Sequence, residues 1–260
     1  MKRHGVIRNN SDVSWEKWGK LDPYYGVLAD AKFRRANLTN HVKAEFLQTG
    51  QAHIERVLAL AQAHCGEIAA RCCALDFGCG VGRVVIPLAR AFERVTAVDV
   101  SQSMLKVAQQ NCRERGIYNV EFVASDDELT QVTKRFDLIH SCLVLQHIPR
   151  RRGEKIISHL IEKLTDQGIL AIQFPFARTG SRTHAALHAL RRNFAPLVIL
   201  ANIILRRRWD EPFMQMNIYD LNRILSLFSR NGIKHVFSEI VETADFASVL
   251  ILAQKPTRQA

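Results

Sequence analysis

The stretch LDFGCGVGR, Leu75 to Arg83, decides the fold. An apolar run, Cys72–Phe77, leads into it, and a stretch of helical apolar spacing, Val81–Phe92, leads out. The reading is therefore a strand buried on both faces, a tight turn and a helix. Gly78, Gly80 and Gly82 allow the sharp turn and let backbone approach a ligand, where the free amides of the helix start point. Arg83 stands where the dinucleotide fingerprint G-x-G-x-x-G carries its third glycine, which argues against a nicotinamide oxidoreductase. Asp76, just before the first glycine, would repel a pyrophosphate but suits a ligand bearing an ammonium group. Pro87 lacks the amide proton that would bond back to Arg83, so a kink is predicted in the second turn.

Working outward, strand and helix patterns alternate. Val95–Val100 reads as the second strand, with Ser101 capping a helix that ends at Gly116. Val120–Ala124 and Phe136–Cys142 follow as strands, then a helix over Arg151–Leu164 with Gly168 past its end, then the strand Ile169–Phe174. Such alternation builds a parallel sheet. Asn217 and Asp220 open a helix that reaches Gly232. The closing runs Ile233–Val241 and Ala247–Ala253 are joined too closely for a crossover helix and are predicted to pair antiparallel. Ahead of the core, Leu38–Leu60 reads as two short helices, capped at Thr39 or Asn40 and interrupted at Thr49-Gly50. The predicted fold is α/β: a doubly wound seven-stranded sheet, mostly parallel with a C-terminal antiparallel hairpin, with helices on both faces. The chain divides into an N-terminal helical lid (1–70), a Rossmann-like core (71–175), a basic and apolar insertion (176–216) and a C-terminal helix with hairpin (217–260).

Three further positions fall on the carboxyl edge of this sheet. Asp99 ends the second strand 17 residues after Gly82, the spacing at which a carboxylate accepts from ribose hydroxyls. Val100 and Met104 flank the next helix start, where an apolar or polarizable side chain either lies on an adenine face or packs in the core. After the third strand comes Ser125-Asp126-Asp127, of which Asp126 is placed best to accept from an adenine amino group.

Taken in order, LDFGCGVGR, VTAVDVSQSML, VEFVASDD, FDLIHSCLVLQHIP and GILAIQFP resemble the class I S-adenosylmethionine-dependent methyltransferases, over about residues 70–175. The resemblance implies S-adenosylmethionine as cofactor. Asp76 and Gly78 to Gly82, with Cys79 between and Arg83 following, would surround its methionine part. Asp99 would hold the ribose, with Val100 and Met104 nearby, and Asp126 with Ser125 and Asp127 the adenine. Ser141 to Val144, including Leu143, would lie beside the methyl group, with His147 just after as the candidate general base for a hydroxyl acceptor. Trp15, Trp18, Tyr24 and Tyr25 crowd into eleven residues of a chain with 8% aromatics, and Trp18, Tyr24 and Tyr25 are candidates for an aromatic lid over the acceptor site.

The chain has 260 residues, 47% hydrophobic and 23% charged, enough for one large α/β domain. Its first residues lack the apolar run of a secretory signal, so a cytoplasmic protein is expected. Six cysteines, at 65, 72, 73, 79, 112 and 142, form no C-x-x-C pair, and His64, Cys65, Cys72, Cys73 and Cys79 do not match zinc spacing; no metal is expected. Of the net +11, residues 1–35 hold +4 (eight basic, four acidic) and 176–212 hold +5 (seven basic, two acidic). Nine of the eleven charges therefore sit on the added segments, which favours anionic partners. Within RRNFAPLVILANIILRRR, 191–208, the twelve residues Phe194 to Leu205, of which only Asn202 is polar, read as a lid helix packed on the domain. An interfacial membrane contact is the alternative, and a transmembrane segment is excluded by length.

The expected acceptor is a hydroxyl of a small molecule or glycan intermediate, on an anionic carrier such as a nucleotide-sugar or a lipid-linked phosphate. No N-P-P-Y or D-P-P-Y follows the fourth strand and no proline adjoins Cys142, which argues against nucleobase methylation and so against nucleic acid as partner. An RNA or protein methyltransferase, and a partner protein that binds S-adenosylmethionine without catalysis, are the rival readings.

Overall fold

The computed structural model of the protein describes residues 11–66, 68, 71–180, 195–205, 207–242 and 245–257. Seven strands form one sheet: β1 (Cys73–Phe77), β2 (Arg94–Asp99), β3 (Val120–Ala124), β4 (Phe136–Ser141), β5 (Leu164–Arg178), β6 (His235–Glu242) and β7 (Phe246–Gln254). Their order is β3-β2-β1-β4-β5-β7-β6. The first five run parallel, and β7 lies antiparallel between β5 and β6. The predicted architecture is thus observed, hairpin included. Because the chain winds outward from β1 through β2 to β3 and then resumes on the other side at β4, a crevice opens beyond the carboxyl ends of β1 and β4.

Helices cover both faces, as a sheet buried on both sides requires. On one face α6 (Arg150–Glu162) and α8 (Leu221–Arg230) supply Ile156, Ile157, Leu160, Ile224 and Phe228 to a core with Tyr219 and Phe174. On the other, α3 (Asn40–Cys65), α4 (Val85–Ala91) and α5 (Gln102–Arg113) contribute Ile54, Val57, Leu88, Leu105 and Cys112. Each such aliphatic or Phe side chain stabilises the fold by roughly 1.5–3 kcal/mol relative to exposure. Ahead of α3, α1 (Ser11–Leu21) and α2 (Pro23–Val27) pack Trp18 and Tyr24 with Phe33, Phe46, Val81 and Met104 in a third cluster that closes over the carboxyl edge. Among the described residues no helix is long and apolar enough to cross a membrane.

Several local expectations are corrected. Residues 38–60 do not break at Thr49-Gly50; α3 is one helix of 26 residues, capped by the Thr39 side chain on the Val42 amide. Gly50 is there because a Cβ would come 2.0 Å from the Arg83 carbonyl oxygen: the glycine lets the helix cross the loop after β1 closely and does not end it. No kink arises at Pro87, because α4 starts only at Val85 and Pro87 falls in its first turn, where amides have no intrahelical acceptor. Gly168 does not lie outside a strand. β5 begins at Leu164 and runs through it, with a register irregularity opposite Phe136/Leu138. Asp220 caps α8, whereas Asn217 instead donates to the Gln146 carbonyl.

The insertion contains α7 (Ala195–Ile204). Its Ala201 and Asn202 are buried, while Ile199, Leu200, Ile203 and Ile204 are exposed, so it packs by one narrow side only. The flanking residues 181–194 and 206 lie outside the described ones.

Gly50 provides a test whose sign opposes helix propensity. Ala exceeds Gly in a helix interior by about 1 kcal/mol. Here Gly50→Ala is expected to destabilise the protein by about 1–3 kcal/mol through overpacking against Arg83, read as a lower urea midpoint. The exposed Gln62→Ala should stay within about 0.5 kcal/mol of the parent.

Candidate active site

The crevice at the carboxyl edge is lined from three directions. Phe77, Gly78 and Gly80 come from β1 and its loop, and Asp99, Val100 and Met104 from β2 and the start of α5. Ser125 and Asp127 follow β3, while Cys142, Leu143, Val144, His147 and Ile148 follow β4. Ser11, Asp12, Trp15, Gly26 and Val27 close it from α1 and α2, and Arg152 and Ile156 from α6.

The glycine loop is held by Asp99. Its Oδ2 accepts from the Gly80 amide at 2.8 Å and its Oδ1 from the Ser101 amide at 2.8 Å. Each oxygen keeps a further lone pair, so the carboxylate can still accept from a ligand diol. Burial raises its pKa from 3.8 to about 6, with the two amides pulling the other way. Gly78 and Gly80 adopt positive φ, 77° and 53°, and their missing side chains leave room for Val144 and Val27. Leu143 also has positive φ, 62°, which is unfavourable for a residue with a Cβ and is held at the wall of the crevice by the turn after β4.

That turn is a single 3₁₀ element, Leu145–His147. His147 is buried, and its Nδ1 lies 2.7 Å from the Gln215 carbonyl oxygen. A carbonyl only accepts, so Nδ1 carries the proton and Nε2 holds a lone pair. Burial lowers the pKa of His147 to about 4, against the opposing Gln215 bond, so the ring is neutral at physiological pH. Trp15 packs edge-on against it, centroids 4.8 Å apart.

Charged side chains fix the closing helices. Glu16 accepts from the Ser101 hydroxyl at 2.8 Å, and from the amide and hydroxyl of Ser103 at 3.1 and 2.7 Å. Burial by itself would raise this carboxyl, but the Ser103, Ser101 and Lys20 hydrogen bonds hold it at about 2. Glu16 thereby places an anion on the N-terminus of α5, a favourable dipole contact. Arg152 bonds Asp127 through Nε at 2.8 Å and Asp12 through both terminal nitrogens at 2.7 and 2.9 Å, linking α6, the loop after β3 and α1.

The residues expected at a cofactor separate into two groups. Gly78, Gly80, Asp99, Val100, Met104, Ser125, Asp127, Leu143 and His147 line the crevice. Asp76, Cys79, Gly82, Arg83, Asp126 and Ser141 do not. Asp76 faces sideways along the sheet: its Oδ1 lies 2.8 Å from His140 Nδ1, and His140 Nε2 lies 2.9 Å from His53 Nε2 on α3. An ionised Asp76 can only accept, so His140 Nδ1 carries a proton toward it while the second nitrogen meets His53. Arg83 contacts Thr49 and Cys142, and Ser141 donates to the Phe77 carbonyl. Asp126 is exposed and turned back on Thr130, whose hydroxyl and amide hold its carboxyl below the usual range. Trp18 and Tyr24 are buried beside the crevice, and Tyr25 lies under the Arg34 guanidinium at 3.4 Å. Of the four clustered aromatics it is Trp15 that forms a wall, and sequence reasoning missed Gly26, Val27, Asp12 and Arg152 beside it; the aromatic density of residues 15–25 was the available signal.

Among the described residues one group of metal-ligating types converges, His53, His140 and Cys142, with ligand atoms within 4.8 Å. Burial, His140, Arg83 and Arg56 push His53 down to about 3, and burial pushes the Cys142 thiol up. Those surroundings oppose both a cation and a thiolate; His53 meets His140, while the Cys142 thiol donates to Gln173.

Residues 74–168 match the protein family described as "Methyltransferase domain". The chain is 36% identical over 85 residues to the magnesium-protoporphyrin O-methyltransferase of Synechocystis sp. (strain ATCC 27184 / PCC 6803 / Kazusa), covering 33% of this chain and 37% of that protein. It is 44% identical over 61 residues to a tRNA/tmRNA (uracil-C(5))-methyltransferase of a Nitratiruptor species, covering 23% and 17%. These matches span well under half of either relative. In three dimensions the chain is similar to the crystal structure of magnesium protoporphyrin IX methyltransferase from Synechocystis PCC 6803 with bound SAH. There the TM-score is 0.63 at 21% identity, over 95% of this chain and 100% of that one. The matched stretch runs from β1 into the start of β5 and includes the loops that line the crevice from the sheet, and relatives named for different acceptors share it. Residues 74–168 thus form a methyltransferase domain, and the seven-stranded order with its terminal antiparallel pair is the fold of the class I S-adenosylmethionine-dependent methyltransferases.

Proposed function

We propose that the protein transfers a methyl group from S-adenosylmethionine to a hydroxyl of a small molecule or glycan intermediate. The observation that carries this reading is His147: a buried neutral imidazole on the crevice wall, fixed by Gln215 in the tautomer that leaves Nε2 free to accept a proton. S-adenosylmethionine supplies an electrophilic methyl on a sulfonium centre. The residues present fit such a ligand. Asp99 offers a carboxylate to the ribose diol, and Met104 and Val100 give an apolar wall for adenine, with Ser125 and Asp127 at its edge. Gly78 and Gly80 bring backbone close to the methionine part. Asp76 is here a positioning residue, holding His140 behind the loop.

The lining carries three carboxylates, Asp12, Asp99 and Asp127, against one guanidinium, Arg152. A negative, largely apolar crevice favours a cationic cofactor and a neutral reacting hydroxyl. An anionic carrier would have to meet the protein outside this lining. Trp15, Gly26 and Val27 exclude water, which strengthens alignment and keeps the acceptor from competing with hydroxide. The division of the chain into a helical lid (1–70), core (71–175), insertion (176–216) and closing hairpin (217–260) is part of the same reading, with the first and third segments shaping acceptor choice.

Two measurements test it. Ionised Asp99 is required to accept two hydroxyls, and its pKa in the free protein is raised to about 6. Affinity for S-adenosylmethionine, by calorimetry, should therefore weaken by about tenfold from pH 7 to pH 5, and Asp99→Asn should bind weakly with that dependence gone. Folding stability runs the opposite way for this group: a raised carboxyl destabilises as pH rises through about 6, so loss of affinity at pH 5 cannot be put down to Asp99-linked unfolding. A flat profile removes Asp99 from the ribose.

His147→Ala should leave cofactor affinity within about threefold while lowering kcat by about 10²–10⁴, with a methyl acceptor found by mass shift in metabolite mixtures. Unchanged kcat would make His147 a structural residue, and absence of both cofactor binding and turnover would sink the methyl-transfer reading.

A further inference from the structure

Ten large apolar residues are exposed among the described ones, and six of them fall between positions 199 and 209. Ile199, Leu200, Ile203 and Ile204 are exposed at 42%, 52%, 58% and 70%, followed by Leu205 at 49% and Trp209 at 64%. Singly scattered apolar side chains on a surface are ordinary, but a contiguous cluster marks a contact. The spacing i, i+1, i+4, i+5 puts the four α7 residues on one side of the helix.

The opposite side is anchored, so the exposed face is held outward. Buried Asn202 donates to the Glu211 carbonyl at 2.9 Å, and the Glu211 carboxylate takes both terminal nitrogens of Arg34 at 2.8 and 3.1 Å. Rotating the helix to hide its isoleucines would strip these buried polar groups of their partners, which costs more than a surface contact returns.

What covers the face is indicated by the residues beside it. Arg207 and Arg208 are exposed at 47% and 65%, farther out than Glu211 at 6% and Asp210 at 31%, with which they pair. Lys17 of α1 and Arg34 of the segment before α3 act on the same two acids, and the whole chain carries +11. An apolar helix face edged by a tryptophan and arginines matches the boundary of a bilayer, where acyl chains, interfacial groups and anionic headgroups succeed one another. Ten residues span about 15 Å, half of a hydrocarbon core, so the helix can lie in the interface but not cross it.

We infer that α7 docks the protein on anionic lipid bilayers. Ile199, Leu200, Ile203, Ile204 and Trp209 enter the acyl boundary, and Arg207 and Arg208 meet headgroup phosphates. The inference concerns a surface outside the crevice and holds whether or not the acceptor reading does.

The test is co-sedimentation of the full chain with vesicles of phosphatidylcholine alone, or with about a third phosphatidylglycerol, at low and high salt. Binding is expected on the anionic vesicles, about tenfold weaker on neutral ones and similarly reduced by about 0.5 M salt, a steep screening expected of headgroup contacts. The double variant Ile203→Glu with Ile204→Glu should lose vesicle binding about tenfold while keeping its melting temperature and its affinity for S-adenosylmethionine. No binding by the parent, or equal binding by the double variant, overturns the inference. So does a parent dimer that the double variant converts to monomer without any vesicle binding, since that assigns the face to a second copy of the chain.

Discussion

Asp99 is the constraint on which the site depends. A glycine-rich loop has no conformation of its own, because glycine loses more freedom on ordering than any other residue. The two oxygens of one buried carboxylate reach in opposite directions, to the Gly80 amide across the crevice and to the Ser101 amide at the start of α5. They therefore fix the loop after β1 relative to the helix after β2. Burial makes this costly, as the rise of its pKa to about 6 records. The order of the loop and of the start of α5 therefore rests on one side chain.

The second fixed point is reached from outside the core. Glu16 on α1 commits its carboxylate to Ser101 and Ser103, the residues that start the same helix α5. Thus the N-terminal helices are tied to the start of α5 by a charge at a helix N-terminus, and Arg152 ties them to α6 through Asp12. Trp15 stands between the two ties, against His147. Its position follows from those charges and owes little to its own apolarity.

The sheet was legible because its signals are local. Apolar runs ending in glycine or aspartate, separated by capped helical stretches, define the strands to within one or two residues for β1 to β4, and Ser101, Thr39 and Asp220 cap as their chemistry suggests. What failed was information carried by distant partners. Gly50 reads as a helix breaker until the Arg83 carbonyl lies against it. Asp76 reads as a ligand group until His140, its register partner on β4, is found to occupy it. Asp126 and Asp127 are equivalent in sequence, yet the turn sends one to Thr130 and the other to Arg152 at the crevice. Side-chain direction at a strand end is set by which neighbour supplies the better hydrogen bond, and that neighbour is 4 to 64 residues away.

Distant partners also link the exposed helix to the crevice. Arg34 bonds Glu211, which positions α7, and also lies over Tyr25 and within 3.7 Å of Asp22, which precedes α2. Gly26 and Val27 of α2 are walls of the crevice. α7 and the crevice wall are therefore joined through one guanidinium shared by two carboxylates and one ring. Because Glu211 is buried, the pairing cannot loosen gradually in water; it holds or it breaks at the cost of an unpaired buried charge. Such an all-or-none joint ties the helix that faces outward to the residues that wall the crevice.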